Sequence, residues 1–191
     1  MMRVNQTETA VLGALSVAPM TGYALREAIR EVLGHFWSES FGQIYPTLAN
    51  LEHHRLVTRR GSSRPGSSTF AITAAGRARL TELLGQPIQP VPPRNGLMLR
   101  LFFGRHLGPE ACRSLISDAR ADARRRLAQY DTIRHQLEAD HSHQQDHPYW
   151  LLTVWAGEHT ARATITWADQ ALAALEEMDA PGNQRNERTR R

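Results

Sequence analysis

Lysine is absent from this chain of 191 residues, and all 23 of its basic side chains are arginine. That bias says little about function by itself, because a GC-rich genome produces it as readily as selection for phosphate binding. Cysteine is almost absent too. Cys112 stands alone, which excludes an intramolecular disulfide and any thiolate metal cluster. In its amphipathic surroundings it reads as a small buried hydrophobe. No apolar run approaches the roughly 20 residues that a membrane helix needs. The opening MMRVNQTET also lacks the apolar core of a signal peptide, so a cytoplasmic location is the expectation. The length suffices for one good core or two small domains joined by a linker.

Charge is distributed unevenly. Residues 1–85 hold nine arginines against six acids, residues 86–180 hold ten against twelve, and residues 181–191 hold four against one. A basic front and a mildly acidic second half suit a polyanionic partner at one end.

The stretch SESFGQIYPTLANLEHHRL, residues 38–56, organises the rest. Ser40 and Gln43 have the spacing of a capping box, in which each side chain satisfies a backbone N–H of the other residue. Ile44, Leu48 and Leu51 recur at i, i+4 and i+7, the stripe of a helix that faces a core. The opposite face carries Gln43, Pro46, Asn50 and His53, with Thr47 on its edge. That surface is polar and uncharged, with amides and a hydroxyl suited to base edges in a major groove. Tyr45 stands about 100° from the core stripe, so it either packs inward or lays its hydroxyl on a phosphate.

Two helices precede this one. The first is expected over residues 5–17 and ends before Pro19. The second is capped by Thr21 and runs to about Leu33, where Gly34 is expected to take a left-handed cap. After Leu56 the period changes from 3.6 to 2, giving strands over 56–60 and 69–73 around the turn GSSRPGSS. Arg64 is the charged residue at its tip, placed to meet a phosphate or a minor groove. Helical periodicity resumes from Thr73 to Leu84. Three helices, a two-stranded hairpin and a further helix make a winged helix-turn-helix over residues 1–84.

Residues 85–96, GQPIQPVPPRNG, form a Pro-rich linker. Beyond it the chain reads as all helix over 97–180, with a long helix from Pro109 to about Ala139. In the last helix Leu151, Val154, Ala161, Ile165, Ala168, Leu172 and Leu175 keep a 3-4 spacing that wants a partner helix. This seam is expected to be a subunit interface. The basic tail 181–191 is expected to be disordered. The fold class is therefore mainly α: a winged helix-turn-helix domain with a two-stranded wing plus a C-terminal helical dimerisation domain.

Several stretches resemble PadR-type transcriptional regulators. MTGYALREAI is similar to their second helix, FWSESFGQIYPTLANLEHHRLVTRR to their third helix and first wing strand, and SRPGSSTFAITAAGRARL to their wing and fourth helix. LMLRLFFGRHLGPEACRSLI and WAGEHTARATITWADQAL more loosely resemble the helical region of the virulence-activator-alpha type. The resemblance implies a homodimeric repressor, not an enzyme, on a palindromic double-stranded operator read by two helices about one duplex turn apart. By position it places Tyr23, Ser40, Gln43, Tyr45, Thr47 and Asn50 at the DNA, with Arg64 in the wing. Phe70 departs from the family's usual tyrosine, and the wing tip is rich in serine. Small-molecule sensing in the family makes Trp150, Trp155 and Trp167 candidates for an apolar effector pocket between subunits, and core packing explains Trp167 equally well.

Two other readings compete. His141, His143, Asp146 and His147 nearly spell the ligand set of metallo-hydrolases, but the spacing has one residue too many and no strand precedes it. No metal or cofactor is expected. A helical protein-interaction module without DNA binding would explain the seam but not the polar third helix or the wing.

Overall fold

The computed structural model describes residues 6–34, 36–37, 41–61, 68–88 and 94–179. The chain divides into two compact units, Met1–Val91 and Pro92–Arg191. The basic tail, the wing tip with Arg64, and Ser40 lie outside the described residues.

In the first unit the element order is α1 (Gln6–Val17), β1 (Met20–Thr21), α2 (Gly22–Ala28), α3 (Ile44–His53), β2 (Val57–Arg60), β3 (Thr69–Ile72) and α4 (Ala74–Leu84). Apolar periodicity dictates its core. Val11, Leu12 and Leu15 from α1, Leu25 from α2, Ile44, Leu48 and Leu51 from α3, Val57 from β2 and Leu83 from α4 are all buried together. Thr21 caps α2 by accepting from the Ala24 N–H at 3.1 Å. Thr73 caps α4 by accepting from the Gly76 N–H at 3.0 Å. Each hydroxyl satisfies a backbone donor that the first helical turn leaves open. The Arg79 guanidinium bonds the Glu8 carboxylate at 3.0 Å and Glu82 at 2.9 Å, fastening α4 to α1.

Two local expectations need correction. The wing is not a lone two-stranded hairpin: Met20 and Thr21 add a third antiparallel strand beside Phe70 and Thr69, in the order β1-β3-β2. Two extended residues after Pro19 are too few to show any period. Gly34 is not left-handed; its φ is −59°. The end of the second helix loosens into a π turn over Ile29–Leu33, and a Cβ at Gly34 would strike the Arg30 carbonyl. Close approach, rather than a special φ, makes glycine suitable here. The α3 helix begins at Ile44 after a 3-10 turn over Phe41–Gln43, and the capping box expected between Ser40 and Gln43 lies outside the described residues.

The second unit is helical: α5 (Gly96–Phe102), a 3-10 turn, α6 (Pro109–Ala139) and α7 (His147–Asp179). Pro109 opens α6, where its missing N–H costs nothing. Contacts between α6 and α7 run in opposite senses along the two helices, from Arg120–Asp169 to Arg134–Glu158, so the pair is antiparallel. Ile116, Ala123 and Tyr130 of α6 are buried together with Val154, Ala161 and Ala168 of α7. Glu158 is buried in this seam and is neutralised by Arg134 at 3.3 Å and Arg162 at 3.0 Å. No described helix is long and apolar enough to cross a membrane.

Gly157 lets the two long helices meet, because a Cβ there would fall within the Tyr130 ring. Gly157→Ala gains up to about 1 kcal/mol of helix propensity but overpacks the seam at a cost of roughly 1–3 kcal/mol. The expected result in urea unfolding is a net loss of stability. A variant more stable than the parent would contradict this packing.

Candidate nucleic-acid interface

The buried ridge of α3 fixes what its other side presents. With Ile44, Leu48 and Leu51 turned inward, Gln43, Tyr45, Pro46, Asn50 and His53 are exposed and Thr47 is half-buried. Among the described residues the side-chain amides of Gln43, at the start of α3, and of Asn50, about two turns further on, have no hydrogen-bond partner. The Tyr45 ring rests against Gly22, whose absent side chain leaves room for it, yet the tyrosine remains 53% exposed. It therefore packs on the surface of α2 rather than in the core. Tyr23, in the first turn of α2, is more exposed still. Tyr45 of α3 thus meets the start of α2 next to Tyr23, while Gln43, Thr47 and Asn50 lie along α3 and its N-terminal cap.

Sequence reasoning singled out the arginine at the wing tip and passed over those in the wing strand. Arg59 and Arg60 of β2 are exposed. The Arg59 guanidinium lies 5.8 Å from the centroid of Phe70, over its ring. Strand alternation alone assigns such residues to a solvated face, so only their position next to α3 reveals them.

The seam expected to join two subunits is spent largely within one chain. Val154, Ala161 and Ala168 are buried against α6, so pairing with another copy can bury them no further. These three side chains of α7 face its own neighbour α6. Leu151, Ile165, Leu172 and Leu175 are half-buried. Tyr149, Leu152 and Trp155 form an exposed apolar stretch on α7, and Met98, Leu99, Phe102 and Phe103 another on α5 and its end.

The tryptophans do not converge. Seventeen residues of one helix separate Trp150 from Trp167, about 26 Å at 1.5 Å per residue, so no single small pocket of one chain is lined by both. Trp150 is half-buried against the rings of His143 and His147, whereas Trp155 is exposed. A cleft of about 340 Å³ opens instead among Arg100, Leu107, Ala111, Ser114 and Leu115.

A helix bearing an amide surface, a small antiparallel sheet beside it and a separate unit of long helices define a winged helix-turn-helix regulator. Two family models match: residues 11–82 fit the transcriptional regulator PadR-like family, and residues 93–176 fit the virulence activator alpha C-terminal region. Residues 11–82 thus carry a domain of the PadR-like family of transcriptional regulators. It is 27% identical over 184 residues to a Mycobacterium tuberculosis protein described as a probable transcriptional regulator, covering 88% of this chain and 96% of that one. It is 24% identical over 176 residues to the negative transcriptional regulator PadR of Bacillus subtilis, covering 87% and 96%. Crystal structures of that protein with operator DNA and with p-coumaric acid give TM-scores of 0.73 and 0.72, at 24% and 25% identity. They cover 88% and 91% of this chain, and 98% and 99% of theirs. A PadR-like regulator of Bacillus cereus gives a TM-score of 0.76 at 21% identity, covering 91% of this chain and 99% of its own.

The histidine-rich turn between α6 and α7 has a structural role. Among the described residues no three His, Cys, Asp or Glu side chains are arranged to hold a metal. Asp140 accepts from the Ser142 hydroxyl at 2.6 Å and the Ser142 N–H at 2.8 Å, and lies 3.7 Å from His143 Nδ1 and 3.8 Å from His147 Nε2. The Ser142 hydroxyl bond, followed by its backbone bond, holds the Asp140 carboxyl below its usual range. A carboxyl depressed on folding stabilises the fold above its unfolded pKa of about 4, and that contribution disappears as pH falls through the lower folded value. Asp140→Asn should therefore melt below the parent at neutral pH, with the gap closing below about pH 4. Thermal melts followed by tryptophan fluorescence across this range test it, and a gap independent of pH would contradict it.

Proposed function

We propose that this chain is a homodimeric, sequence-specific DNA-binding repressor that acts in the cytoplasm on a palindromic double-stranded operator. One observation carries this reading: the amides of Gln43 and Asn50 stand exposed, without hydrogen-bond partners among the described residues, behind the buried ridge of Ile44, Leu48 and Leu51. Amide side chains pair bidentately with adenine edges in the major groove, and a helix held rigidly from behind presents them in fixed register. Gln43, Thr47 and Asn50 read bases, while Tyr23 and Tyr45 meet the sugar-phosphate backbone. Ser40 and Arg64 join the contact on sequence grounds. The operator complex of Bacillus subtilis PadR supports the assignment through shared fold. Gln43→Ala or Asn50→Ala should cost about 1–3 kcal/mol on the upstream region of the chain's own gene and leave random duplex binding unchanged. Equal losses on both DNAs would sink the reading role.

Self-association is the second element of the proposal. Leu152 and Trp155 leave an exposed apolar stretch on α7, with half-buried Leu151 beside it, and a stretch of this kind marks an interaction surface; Ile165, Leu172 and Leu175 are half-buried further along the helix. Trp155→Arg is expected to convert a sedimenting dimer into monomers without loss of helicity. A parent that sediments as a monomer at tens of micromolar would refute the homodimer.

A small aromatic effector is the third element. The p-coumaric acid complex of Bacillus subtilis PadR motivates it. Since Trp150 and Trp167 stand far apart in one chain, a shared effector site requires only one of them, or residues from two chains. The Arg100 cleft offers a guanidinium and the Ser114 hydroxyl within apolar walls, a composition that suits an organic carboxylate.

A further inference from the structure

Arg55 is the one residue other than glycine that has a positive φ, 57°, among the described residues. That conformation presses Cβ toward the following carbonyl, and it is uncommon for anything but glycine, asparagine or aspartate. The surrounding backbone enforces it. The Arg55 N–H donates to the Glu52 carbonyl at 3.0 Å, and the Leu56 N–H donates to Leu51 at 2.9 Å. The Thr73 hydroxyl donates to the Arg55 carbonyl at 2.9 Å, and the Thr73 N–H donates to Leu56 at 3.0 Å. Four bonds thus lock the junction between α3 and β2 to the cap of α4. Strain of this sort persists where the surroundings over-determine it, and it gathers at functional sites.

Charge pairing sets the same place apart. Arg26 and Arg30 pair with acids of their own helical segment, Arg79 with Glu8 and Glu82, and Arg77 donates to the Ser16 carbonyl. Arg55, Arg59 and Arg60 are exposed, and among the described residues none has an ion-pair partner. The arginines around α2 and α4 are thus engaged internally, while those at the α3–wing junction keep their full charge.

We propose that Arg55 is a phosphate anchor. Its guanidinium bonds a backbone phosphate of duplex DNA at the junction between α3 and β2. The inference rests on the DNA-binding reading above and adds a contact that composition and periodicity did not single out. A glycine would relieve the backbone at this position, so the arginine is held there by the four bonds that surround it.

The test compares wild type, Arg55→Gly and Arg55→Lys on a random-sequence duplex by fluorescence anisotropy, with melting temperature measured in parallel. Losing one phosphate contact should flatten the slope of log affinity against log salt by about 0.9 and weaken binding roughly eightfold near 0.1 M salt. Arg55→Gly should show both effects while melting higher, and Arg55→Lys should keep the wild-type slope. An Arg55→Gly protein that melts higher yet binds like wild type would overturn the anchor, as would a lysine variant that loses as much as glycine. Wild type that binds no duplex at low salt is a different failure: it removes the DNA-binding reading itself, before any variant is compared.

Discussion

Burial of Ile44, Leu48 and Leu51 is the constraint on which the first unit depends. These three side chains are almost completely withdrawn from water against α1, α2 and β2. Each such burial contributes on the order of 1.5–3 kcal/mol, far more than any exposed polar contact on the same helix. The ridge therefore settles the rotation of α3 about its axis, and that rotation determines which side chains face outward. A polar surface is useful for recognition only if it cannot turn away, and here the apolar side forbids turning. The capped helices and the Arg79–Glu8 pair hold the frame, while the site itself needs few internal bonds.

The second unit solves the opposite problem. Two helices of 31 and 33 residues cannot stand alone in water unless each covers the apolar face of the other. Antiparallel pairing does this along α6 and α7, with Gly157 making space for Tyr130 and Arg134 neutralising a buried carboxylate. What remains uncovered is a different face, bearing Leu152 and Trp155, together with the apolar side of the short α5.

Much of this was legible in the sequence. The 3.6-residue stripe located α3, Thr21 and Thr73 marked helix starts, and Pro109 to Ala139 was readable as one helix. The third strand was not, because two residues carry no period. Gly34 was misread because glycine serves close approach as well as positive φ, and only coordinates tell these apart. The 3-4 seam of α7 was read correctly as wanting a partner helix, yet periodicity cannot say whether that partner belongs to the same chain. For Arg55, no residue-type rule expects arginine at positive φ, so the signal exists only in the backbone. The amide face of α3 was visible early because a polar, uncharged helix surface differs in kind from the usual solvated one.

The central claim is that the outward face of α3 recognises a particular DNA sequence. A hydroxyl-radical footprint over the upstream region of the chain's own gene tests it most directly. The account predicts two protected patches related by symmetry, with centres about 10 base pairs apart or a multiple of that spacing. Uniform cleavage along the whole region, at protein concentrations that retard the fragment, would contradict it.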